Sequence, residues 1–213
     1  YTWKKGDQAR LWVDGVQSDG TSGLRGIEEE QFDLAILGDT FFLGGGHPLN
    51  TFSNGAFDDV RIYDAPLTEA AIQAILAEGD PPIIDPGTED PAVLQIQWDF
   101  EDDFLDSSGN DHNGAVNGSP TYIEGKKGQC IVFGGADWVD SGFLLPQMDA
   151  FTVECWANPG DTQVAWADIL GNHAGGGVSG MVLQQLREDT NQYVFVYGSS
   201  GGSYVESKPL TLS

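Results

Sequence analysis

Apolar residues in this chain recur at every second position, in short runs cut apart by turn-forming clusters. Residues 10–16 read Arg-Leu-Trp-Val-Asp-Gly-Val, with Leu11 and Val13 alternating with Arg10 and Trp12. Period two is the repeat of a strand with one face buried, and short spacing between such runs favours a sandwich or barrel. Asp14-Gly15 supplies the positive φ angles of a tight hairpin. Further strand candidates fall at 32–37, 57–63, 96–100, 130–133, 138–140, 151–156, 181–186 and 193–197, each bounded by Gly, Asp, Asn or Pro clusters. In the run 57–63, strict alternation sets Asp58 on one face with Val60 and Ile62, and Asp59, Arg61 and Tyr63 on the other. A carboxylate on an apolar face is unusual.

One stretch breaks the period. Thr68 is a good N-cap, Leu67 and Ile72 are placed as a hydrophobic staple, and Ile72, Ile75 and Leu76 make a stripe ended by Gly79. This predicts a short helix over 68–78 that must dock on a sheet. Residues 80–94 then hold four prolines and four acids. That composition reads as a semi-extended linker and a module boundary.

Composition excludes several partners. The 213 residues carry 9 Lys+Arg against 33 Asp+Glu, a formal charge of −24. The excess is shared by both sides of the linker, with 13 acids against 5 bases in residues 1–79 and 16 against 4 in residues 95–213. Such a surface repels nucleic-acid phosphates and anionic membranes. No apolar run approaches the ~18–20 residues of a membrane-spanning helix. With 40% hydrophobic residues the chain has the apolar content for a core. The chain opens on Tyr1 without a basic-then-apolar leader, which reads as processing or excision from something longer.

Two blocks carry a resemblance. The first is Leu11-Trp12-Val13-Asp14-Gly15-Val16 followed by residues 54–68, Asn-Gly-Ala-Phe-Asp-Asp-Val-Arg-Ile-Tyr-Asp-Ala-Pro-Leu-Thr. It resembles the C-terminal half of a laminin-G-like (concanavalin A-like) domain, where a similar hairpin precedes a similar strand and a final helix. The second block joins Trp98-Asp99-Phe100, the turn 106–114, Gly128-Gln129-Cys130-Ile131-Val132-Phe133-Gly134-Gly135 and residues 151–156. It resembles the N-terminal half of the same family. The resemblance implies an all-β, antiparallel two-sheet jelly-roll sandwich with one short helix, in a secreted or cell-surface protein. It also implies reversed order: a C-terminal half at 1–79, the linker 80–94, and an N-terminal half at 95–213. Three arrangements follow: a window from a tandem array, head-to-tail completion between copies, or a circularly permuted single domain.

The candidate sites are few. Asp106, Asn110 and Asp111 in the turn, with Asp58 from the other half, offer the oxygen ligands calcium requires, and the resemblance puts structural calcium near this loop. The same residues are also ordinary turn formers. Cys130 and Cys155 lie on strands that could neighbour one another, so they form a disulfide or sit as two small buried hydrophobes. Trp138 and Trp166, with Phe41, Phe42 and Tyr122, are the aromatic handles for a glycan or else core residues. His47, His112 and His173 lie in Gly/Asn-rich loops without a nucleophile motif, and the paired-carboxylate strand of jelly-roll glycosidases is missing; Glu28–Glu30 reads as a solvated charge run. The expected function is therefore a non-catalytic extracellular repeat for adhesion or for a surface or filamentous assembly, with adjacent copies as partners. The alternative is a carbohydrate-binding module of a larger secreted enzyme.

Overall fold

The structure is a computed structural model and describes residues 2–4, 10–17, 21–25, 40–45, 51–78, 92–144, 150–172, 180–186, 192–199, 203–207 and 210–211. The strand expected at 32–37, most of the linker, Glu28–Glu30, His47 and His173 lie outside the described residues. In chain order the elements begin with β1 (Thr2–Lys4), β2 (Trp12–Val13), β3 (Val16–Gln17), β4 (Thr21–Arg25), β5 (Phe42–Leu43), β6 (Asn54–Tyr63) and the helix α1 (Glu69–Glu78). Then follow β7 (Leu94–Trp98), β8 (Ala115–Asn117), β9 (Thr121–Glu124), β10 (Gln129–Gly134), β11 (Trp138–Asp140) and β12 (Ala150–Pro159). The last are β13 (Asp168–Gly171), β14 (Gly180–Gln185), β15 (Gln192–Ser199), β16 (Ser203–Ser207) and β17 (Leu210–Thr211).

These strands make two large antiparallel sheets and a separate two-stranded hairpin, β2-β3. The first runs β1-β12-β6-β10-β9, with β7 also paired to β6. The second runs β4-β16-β15-β14-β13-β5-β11-β8, with β17 paired to β15. One apolar cluster draws on both: Phe57, Val60, Ile62, Trp98, Phe133 and Val153 from the first sheet meet Leu43, Val139, Ile169, Leu170, Met181 and Phe195 from the second. Two sheets sharing one core make an all-β sandwich.

β6 is the centre of the first sheet. β12 pairs along one edge, from Tyr63 opposite Thr152 to Gly55 opposite Pro159. β7 and β10 divide the other edge, β7 taking residues 60–63 and β10 taking residues 54–57. All three partners come from beyond the Pro-rich segment. The two halves seen in sequence therefore share one sheet in this structure.

The helix and the hairpin form as expected. Thr68 Oγ1 accepts from Ala71 N at 3.3 Å, and Thr68 O accepts from Ile72 N at 3.0 Å, so Thr68 caps α1. Leu67, Ala71 and Ile75 are the buried face, packed on Tyr63 of β6 and on Leu94 of β7. Thr152 of β12 clamps the lead-in, accepting from Leu67 N at 2.8 Å and donating to Ala65 O at 2.8 Å. Asp14 and Gly15 have φ of 48° and 73°, and Val13 pairs with Val16 across the turn. The turn rests on α1, where Gln73 Nε2 donates to Gly15 O at 2.8 Å. A Cβ at Gly15 would lie 2.5 Å from Leu76 Cδ1, so this contact needs glycine for space as well as for φ.

Candidate functional site

The alternation expected along β6 fails at one point, and the failure builds the site. Arg61 opposes Glu154 and Asp58 opposes Trp156, so three steps on β6 span two on β12. The extra residue is a β-bulge, with Asp59 at φ 47°. Phe57 and Val60 both enter the core although they are three positions apart. Asp58 therefore does not share a face with Val60 and Ile62, which corrects the period-two expectation.

The bulge lets Asp59 reach Arg61. Arg61 Nη2 donates to Asp59 Oδ1 at 3.1 Å, and Arg61 Nη1 donates to Glu154 Oε1 at 3.3 Å. Tyr63 OH donates to the same Glu154 oxygen at 3.1 Å. Arg61 is fully buried. Burial opposes its charge, but Asp59 and Glu154 outweigh that and hold the guanidinium above its ordinary range. Burial pushes the Asp59 carboxyl up to about 6, against the pull of Arg61. Burial likewise raises Glu154, again opposed by Arg61. Sequence set Arg61 on the face of Asp59 but did not connect it to Glu154. The available signal was one arginine and one glutamate, each alone inside an apolar strand.

Asp58 sits where the edge of β6 passes from β7 to β10. Its Oδ2 accepts from Lys126 N at 2.8 Å and from Lys127 N at 3.2 Å, while the buried Oδ1 has no hydrogen-bond partner among the described residues. Burial raises its carboxyl, the backbone N–H groups of Lys127, Lys126 and Asp59 pull it down, and Glu101 raises it again, leaving it above the usual range.

The turn after β7 is organised by Asp106. Its Oδ1 accepts from Gln97 N and Ser108 N, each at 2.9 Å, and its Oδ2 accepts from Ser108 Oγ at 2.8 Å and His112 N at 3.0 Å. Burial acts to raise this carboxyl, but the four donors overcome it and hold it below the usual range. Asn110 Nδ2 donates to Leu94 O at 3.0 Å and Gln95 O at 3.1 Å, and Asp111 is exposed with φ 61°. Asp58 and Asp106 are served by different backbone donors. Among the described residues, no group of three or more His, Cys, Asp or Glu side chains is arranged to hold a metal ion.

The bridge between Cys130 and Cys155 does not form; both thiols are free. The reason is topological. β10 and β12 pair with opposite edges of β6, so the two cysteines stand two strand spacings apart, about 10 Å. A disulfide needs Cα atoms within about 7 Å. Burial pushes the Cys155 thiol up to about 12.

The aromatic candidates separate by exposure. Phe41 and Phe42 are core residues. Tyr122 packs on Phe104, ring centroids 5.8 Å apart, and Trp138 is partly buried on β11. Trp166 is 41% exposed beside exposed Val164, on a turn where its own φ is 62°. His112 packs against Phe143 with ring centroids 4.3 Å apart, and its carbonyl accepts from Trp98 Nε1 at 2.9 Å.

The two sheets, the bulged strand β6 and the single capped helix make an all-β sandwich. Residues 1–73, about a third of the chain, match the family model Laminin_G_3, described as the concanavalin A-like lectin/glucanases superfamily, which supports a laminin-G-like domain. No curated protein and no solved structure matches the chain. Laminin-G-like domains are typically extracellular and often bind glycans or other proteins. Among the described residues no helix is long and apolar enough to cross a membrane.

Proposed function

We propose that this chain is a non-catalytic extracellular β-sandwich repeat, acting in adhesion or as a building block of a surface or filamentous assembly. One observation carries the reading. Both edges of β6, from residues 1–79, are filled by strands from residues 94–213, β7 beginning at Leu94, the last residue of the expected linker. In this structure the two segments close within one chain, the arrangement of a permuted domain; the assembly reading requires the same pairings to form between neighbouring copies in an array. The second arrangement propagates head to tail. Cross-linking a mixture of ¹⁴N- and ¹⁵N-labelled full-length chains tests it. Mixed-isotope links between β6 and β12 that grow with protein concentration support assembly; same-isotope links at every concentration would sink it.

Calcium stabilisation belongs to this proposal through Asp58, whose buried Oδ1 has no hydrogen-bond partner among the described residues. The saturated oxygens of Asp106 favour turn formation instead. A melting temperature unchanged by EDTA and by added calcium removes the ion from the reading.

A second reading, a carbohydrate-binding module of a larger secreted enzyme, is favoured by Trp166. Its exposed ring stands on a turn beside exposed Val164, and a flat aromatic surface suits a sugar face. Glycan-array binding abolished by Trp166→Ala, with Trp138→Ala as the second probe, supports this reading over the first.

A further inference from the structure

A cavity of about 160 Å³ lies against the Arg61 ion pair, bounded by α1, the β2–β3 hairpin and strands of both sheets. Its wall is mostly apolar, with Leu11, Ile75 and Phe195 among the buried side chains that line it. Asp59, Arg61, Glu154 and Thr152 are among its polar members, and the polar residues Asp59 and Trp12 each carry one atom that stands apart. Asp59 Oδ2 and Trp12 Nε1 are both buried and have no hydrogen-bond partner among the described residues. The Asp59 side chain is only 4% exposed, and its other oxygen is committed to Arg61.

A buried carboxylate oxygen without a donor is costly, and a native structure that keeps one supplies the donor from elsewhere. Water alone is a poor supplier here. The space takes several waters, each needing two to four polar partners, while most of the lining is apolar. The charges point further. Among the described residues the ion pair sets two carboxylates, Asp59 and Glu154, against one guanidinium, Arg61. An anion is disfavoured, and a cation with an apolar body meets both the charge and the wall.

We propose that this cavity binds a small hydroxylated amine with a compact apolar body. Its ammonium donates to Asp59 Oδ2, its hydroxyl oxygen accepts from Trp12 Nε1, and its apolar body fills the space between α1 and the sheets. The hairpin turn resting on α1 through Gln73 and Gly15 closes one side of the site.

The test uses the full chain and 2-amino-1-phenylethanol as probe, with toluene and benzoate as controls, read by calorimetric titration. The amine binds, benzoate does not, and Asp59→Asn weakens the amine roughly tenfold, the loss of one charge-assisted hydrogen bond. Toluene binding is unchanged by that variant. Trp12→Phe weakens the amine by a smaller factor, and Leu76→Trp, which fills the mouth, abolishes all binding. No amine binding at millimolar concentration, or amine and toluene binding with equal affinity, overturns the proposal. So does an unchanged affinity in Asp59→Asn shown by its melting curve to be folded. Where Asp59→Asn does not fold, Trp12→Phe decides, and an unchanged amine affinity there overturns it equally.

Discussion

Arg61 on β6 and Glu154 on β12 stand directly opposite each other in the centre of the first sheet, Nη1 to Oε1 at 3.3 Å. They come from opposite sides of the Pro-rich segment. This pair therefore joins the two halves by charge where the core joins them by packing.

Removing Arg61 leaves Asp59 and Glu154 buried without their cation. Arg61→Ala destabilises by about 3–5 kcal/mol, seen as a lower urea midpoint. Replacing Asp59, Arg61 and Glu154 together by apolar residues of similar volume costs far less, because no uncompensated charge remains. Equal losses in the single and triple variants would contradict this account.

The raised carboxyl of Asp59 gives a pH slope of unusual sign. Its folded value is about 6 against an ordinary 3.8, so the folded state holds the proton more tightly. Its contribution to stability is full below 3.8 and is lost as pH rises through about 6. The melting temperature is expected to rise as pH falls from 7 towards 5, and Asp59→Asn flattens that rise. Asp106 acts oppositely. Its folded carboxyl lies below the usual range, so its contribution is present above 3.8 and lost as pH falls through its folded value.

Four donors converge on Asp106. Asp106→Ala leaves backbone N–H groups of Gln97, Ser108 and His112 without their acceptor and costs on the order of 1–3 kcal/mol. Asp106→Asn keeps one acceptor oxygen and loses part of that. Chemical denaturation of both variants checks the order.

Both cysteines are free, and burial raises both thiols. A thiol reagent reacts slowly with the native protein and titrates two thiols once it is denatured. No thiols after denaturation without reductant would mean a bridge this topology does not allow.

Trp166 holds φ 62°, a conformation that costs a bulky residue on the order of 1–2 kcal/mol. Trp166→Gly removes that cost and only part of the packing of a core tryptophan, because the residue is 41% exposed. A stability equal to or above wild type is the expected result. A large loss would assign the ring a packing role.

Much of the fold was legible in the chain because its signals are local. The Asp14-Gly15 hairpin, the Thr68 cap and strands such as β10 and β11 each depend on a few adjacent residues, and each appears where the sequence placed it. The bulge at Asp59 was not, because a shift of one residue in register is decided by the partner strand β12. It moved Asp58 off the face that alternation assigned to it. The pairing of Arg61 with Glu154 was hidden for the same reason, as was the separation of Cys130 from Cys155, which turns on β6 lying between their strands. Candidate ligands 106, 110 and 111 were correctly seen as one turn; what they bond to depended on Gln97 and Leu94 of the preceding strand and its lead-in.

The position of β6 also dictates an order of events during synthesis. β6 leaves the ribosome complete at Tyr63, but its longest partner, β12, ends at Pro159. At usual elongation rates that gap lasts roughly 5–20 s. For that time the edge of β6 that β12 will fill, on a ten-residue strand carrying Phe57, Val60 and Ile62, is not covered by its own partner. Asp58, Asp59 and Arg61 stand inside the same strand, and charges there discourage pairing with a stranger. The residues that hold the finished halves together thus also guard the nascent chain while the second half is still being made.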